Sequence, residues 1–142
     1  MDNAKDQETT ARSAALQQIH AAIDHLRKSE LVAAITLASA AEGVLPRTDN
    51  PHLFPKMKAL IASLPVDPGG TTDINAFTHW TKHGTHEKAK ISELEVVATI
   101  VRAISKFVAV YGEQSLQMKA FSEEVIASLQ ADKNSTLSAP PS

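Results

Sequence analysis

The apolar segment at residues 31–45, LVAAITLASAAEGVL, constrains the fold of this chain more than any other feature. The only positions in it that are not apolar are Thr36, Ser39, Glu42 and Gly43. A helix that is apolar nearly all round is buried in the core of a larger structure. Proline cannot continue a helix, so the segment should form one helix that ends before Pro46. We expect this helix to be the buried central one, and its alanines to let neighbouring helices come close.

The segment before it has the spacing of an amphipathic helix. Its apolar stripe consists of Leu16, Ile19, Ile23 and Leu26. Thr9 or Thr10 can cap this first helix, and Ser29 is the expected N-cap of the central helix. Because only a short turn separates the two helices, we expect an antiparallel hairpin.

Two shorter helices are expected between residues 51 and 84. The first carries Phe54, Met57, Leu60, Ile61 and Leu64. A loop rich in Pro and Gly follows, and Thr71 or Thr72 can cap the second helix. The inner face of that second helix consists of Ile74, Phe77, Trp80 and Thr81. Gly84 is expected to end it.

The capping box Ser92-Glu93-Leu94-Glu95 predicts the start of a long helix that ends at Gly112. Its predicted inner stripe is Leu94, Val97, Val101, Ile104, Val108 and Tyr111, widened by Ile100 and Phe107. Its predicted outer face is Glu95, Thr99, Arg102, Lys106 and Glu113. A stripe this wide favours a homodimer, in which a second copy covers the part that the core does not need.

A last helix is expected from about Ser115. We predict a flexible leader over residues 1–9, one helical domain over 10–131 and a disordered tail over 132–142. The aromatic fraction of only 4% disfavours a sheet, and no segment alternates with period two. The prediction is therefore an all-α, single-domain bundle of five or six helices.

Composition narrows the classes of function. The chain has no cysteine, which excludes disulfides, thiolate metal sites and a cysteine nucleophile. The net charge of -2 gives no global electrostatic reason to bind nucleic acid. No apolar run is long enough to span a membrane, and the polar N-terminus has no signal-peptide pattern. We expect a cytoplasmic protein with no membrane partner.

The segment His79-Trp80-Thr81-Lys82-His83-Gly84-Thr85-His86 concentrates the most chemistry. His79 and His83 are one helical turn apart, so both rings can reach one metal ion, and His86 can add a third nitrogen. Zinc is the cofactor that this set would hold; otherwise no cofactor is expected. A zinc protease has Glu directly after the first histidine, and Trp80 stands there. The alternative is a polar surface rich in histidine.

Glu42 is the second candidate, because a carboxylate inside an apolar helix is costly unless it is paired or protonated. It could act as a general base, or it could be the structural partner of a basic side chain or a helix N-terminus. If it lies close to His79, Lys82 or His83, the two candidates form one site.

Three weaker signals complete the list. His20 and His25 flank Asp24, and a satisfied boundary histidine is a commoner role than a metal ligand. No Gly-flanked serine supports a catalytic triad. The lysines between Lys82 and Lys90, with Trp80 nearby, could contact RNA, but such lysines more often belong to a solvated loop.

Two blocks resemble a known group. Residues 38–45, ASAAEGVL, resemble the small-residue-plus-Glu helix of uncharacterised bacterial HEPN-like proteins, and residues 79–84, HWTKHG, resemble their Asn-aromatic-x-Lys-His segment. The likeness extends over most of residues 12–113. It implies a dimerising all-α bundle; the best-known HEPN branches are RNases or partners of nucleotidyltransferases in toxin systems.

The catalytic pattern of that group is incomplete here. Active HEPN nucleases carry an Arg a few positions before a His on one helix, so that two copies form an RNA-cutting cleft. No Arg of this chain precedes a His at that spacing within one predicted helix, and His79 replaces the Asn. The resemblance therefore carries over only Glu42, Lys82 and His83.

These observations favour a non-enzymatic HEPN-like module, a homodimer that binds an unknown protein partner or small ligand. Its candidate binding residues are Glu42, His79, Trp80, Lys82 and His83. The alternative is an enzyme, a divergent RNase or metal-dependent hydrolase that uses His79, Lys82 and His83.

Overall fold

The computed structural model describes residues 5–48, 84 and 88–138, and within these residues it is all-helical. The helices are α1 (Ala11–Arg27), α2 (Leu31–Val44), α3 (Glu93–Tyr111) and α4 (Leu116–Ser138). The all-α prediction is confirmed. The two helices predicted between residues 51 and 84 lie outside the described residues, so the total of five or six stays a prediction.

Local hydrogen bonds explain where three of these helices begin. The side-chain oxygen of Thr10 accepts from Ser13 N at 3.0 Å, and that of Ser92 accepts from Glu95 N at 3.1 Å. Ser115 Oγ accepts from Met118 N at 3.1 Å. These side chains satisfy backbone donors that the first helical turn leaves without a partner, so all three predicted starts are confirmed.

The turn between α1 and α2 corrects one prediction, because Ser29 does not cap α2. Ser29 has a left-handed φ of 60°. Its N–H bonds to Leu26 O and that of Glu30 bonds to His25 O, each at 2.9 Å. This pattern is a Schellman motif, which satisfies the last carbonyls of α1. Ser29 therefore ends the first helix, and α2 begins two residues later at Leu31.

Side-chain contacts fix the directions of the helices. Arg12, at the start of α1, bonds to Glu113, just after α3, so α1 and α3 are antiparallel. His20 contacts Ser115, and Arg27 contacts Glu124, so α1 and α4 run in parallel. Because α2 is antiparallel to α1, it is parallel to α3.

The central helix is α3, not α2. Ten residues of α3 are buried, whereas α2 exposes Val32 by 55% and Val44 by 42%. In α2 the buried positions are Ala34, Ile35, Ala38 and Ala41. Among the described helices, α1, α2 and α4 all pack against α3, so this helix needs apolar groups on most sides, whereas α2 packs mainly against α1 and α3.

Two predictions about the faces of α3 are also wrong. Glu95 and Thr99, expected on the solvent side, are buried with 4% and 0% exposure, and Leu94, expected inside, is 37% exposed. The width of the stripe does not indicate contact with a second copy, because Val97 and Val108 pack against the core of the same chain. The original argument for a homodimer therefore fails.

At the chain end, α4 continues to Ser138, beyond the predicted domain boundary at residue 131. Its buried side chains end with Leu129 among the residues whose side chains are described. The backbone hydrogen bonds of a helix form within the helix itself. A helix can therefore continue beyond its last buried side chain. None of the helices in the described part of the chain is long and apolar enough to cross a membrane.

Candidate functional site

The histidine-rich candidate lies outside the described residues. This holds for His79, Trp80, Lys82, His83 and His86. The zinc set and the contact between Glu42 and this segment therefore stay predictions. From the basic segment that follows, Lys88 and Lys90 are described, and both are exposed.

Glu42 lies in the last turn of α2 and is paired with a cation from α3. Arg102 Nε donates to Glu42 Oε2 at 2.7 Å, and the two side chains are 19% and 32% exposed respectively. Of the two roles left open for this carboxylate, the structure supports the structural one. Partial burial strengthens such a pair, because less water screens the two charges.

A second basic residue of α3 contacts the backbone at the same place. Lys106 Nζ donates to Glu42 O at 2.8 Å, and Lys106 follows Arg102 by one helical turn. The last carbonyls of a helix have no partner within it, and a cation near them is favourable. Lys106 therefore caps α2 from a neighbouring helix, and the same two residues of α3 fix both the side chain and the backbone of Glu42.

These contacts belong to a polar row on α3, and every member of that row except Ser105 is predicted from the sequence to face solvent. The row consists of Glu95, Thr99, Arg102, Ser105 and Lys106. Glu95, Thr99 and Ser105 are buried, and Thr99 Oγ1 donates to Glu95 O at 2.8 Å. A buried polar group requires a hydrogen-bonding partner, whereas an exposed one can bond to water. The burial of these side chains therefore indicates that they contact other groups of the protein. The sequence offers no signal of their burial, since a polar stripe has the same period on a covered helix as on an exposed one.

His20 is a boundary histidine with a structural partner. Its Nε2 lies 2.8 Å from Ser115 Oγ, the atom that also caps α4. One hydroxyl thus joins the middle of α1 to the start of α4. This contact agrees with the interpretation of His20 as a satisfied side chain, not a metal ligand.

Two further side chains of α1, Arg12 and His25, also have structural partners. Arg12 bonds to Glu113 and lies over the ring of Phe107, 5.8 Å from its centroid. That ring packs against Tyr111 at 4.9 Å between centroids. His25 Nδ1 contacts Glu30 Oε1 at 2.9 Å across the Schellman turn. These contacts hold helix ends together and leave the described part of α1 without a concentration of reactive groups.

Comparison with known proteins adds no assignment. No protein-family model, curated protein or solved structure matches this chain. Within the described ranges, no group of three or more His, Asp or Glu side chains is arranged to hold a metal ion.

Proposed function

We propose that this chain is a non-enzymatic, HEPN-like helical module of the cytoplasm, which binds a protein partner or a small ligand as a homodimer. The observation that supports the non-enzymatic part of the proposal is the engagement of Glu42 by Arg102 and Lys106. Glu42 is the only predicted site residue among the described ones, and its contacts are those of a structural anchor.

The argument against catalysis by Glu42 rests on what a general base requires. A base must reach a substrate proton and must be free to accept it. The carboxylate of Glu42 instead accepts a hydrogen bond from Arg102 Nε at 2.7 Å. This contact holds the side chain against α3, which fits a structural partner better than a base.

The experiment that tests this proposal is an RNA-cleavage assay on the purified full chain, with and without a metal chelator. We compare the unmodified protein with Glu42→Gln and with the double variant Lys82→Ala/His83→Ala. We expect no cleavage above that of a mock preparation from any of the three. We also expect Glu42→Gln to lower thermal stability, because it removes the charge that Arg102 binds.

Two results would overturn the proposal. One is RNA cleavage that persists in chelator and disappears in the Lys82→Ala/His83→Ala variant while its melting temperature is unchanged; this would support the RNase alternative. The other is about one zinc ion per purified chain, lost in His79→Ala together with a hydrolase activity. Either result would place the function in the histidine-rich segment.

A further inference from the structure

We draw no further inference here: the strongest candidate, the uncharged exposed side of α2 that includes Val32 and Val44, carries none because nothing in the described residues shows what covers it.

Discussion

The ion pair between Glu42 and Arg102 should contribute more to stability than the exposed pairs of the same residue types. The perturbation is a double-mutant cycle with Glu42→Gln, Arg102→Gln and the double variant. The chain supplies a matched control in Arg27 and Glu124, which can be changed in the same way. Both pairs join two helices, so they differ chiefly in burial and in distance.

The structure indicates the size of the difference. The Glu42–Arg102 pair spans 2.7 Å, with side chains 32% and 19% exposed. The Arg27–Glu124 pair spans 3.4 Å, with side chains 54% and 68% exposed. Exposed pairs contribute about 0.2–1 kcal/mol, while breaking a fully buried pair costs about 3–5 kcal/mol. We therefore expect a coupling energy of about 1–2 kcal/mol for the first pair and at most about 0.5 kcal/mol for the control.

The assay is equilibrium urea unfolding followed by far-UV circular dichroism, at a protein concentration low enough to keep the chain monomeric. The coupling energy follows from the four free energies of unfolding in each cycle. Added salt should weaken the control pair more than the Glu42 pair, because water and ions reach it more easily. Equal coupling in the two cycles would refute the reasoning that Glu42 anchors α2 to α3.

Five further substitutions test the described helices by the same unfolding measurement. Ser29→Gly should raise the free energy of unfolding by about 0.5 kcal/mol, because glycine adopts the left-handed φ of 60° without strain; a loss would contradict the Schellman assignment. Gly112→Ala should cost about 1 kcal/mol, since φ is 68° there, and no loss would count against that backbone geometry. Ile100→Val, at 0% exposure, should cost about 0.5–1.5 kcal/mol, and a neutral result would argue against α3 as the central helix. Ser115→Ala should cost about 1 kcal/mol by removing the cap of α4, and His20→Ala combined with it should add less than its separate effect, because the two share one contact.

Much of the local structure could be predicted from the sequence. The cap at Ser92 and the end of α3 at Gly112 are where the motifs placed them, and Thr10 is one of the two predicted caps of α1. The last helix begins close to Ser115, as expected. Such features depend on hydrogen bonds among residues close in sequence. Ser29 shows the limit, because a serine can either cap one helix or end the previous one. Which of these occurs depends on the backbone conformation of the turn.

The candidate site could be predicted only in part. Glu42 is a candidate because its charge lies inside an apolar helix, and pairing with a basic side chain is one of the two roles predicted for it. The sequence does not predict that this partner is Arg102. Arg102 lies in a helix distant in sequence, and the periodicity predicts that it faces solvent. The pairing exists because α2 and α3 run in parallel, which is a property of the bundle.

The sequence by itself determined that the described part of this chain is helical, where most of its helices begin and end, and that α1 and α2 form a hairpin. Those outcomes follow from periodicity, capping and turn length, which act over a few residues. Only the tertiary structure decided that α3 is the central helix, that its polar row is covered and that α2 leaves Val32 and Val44 exposed. Burial is a relation between helices, so an apolar stripe shows which face can be covered but not which neighbour covers it.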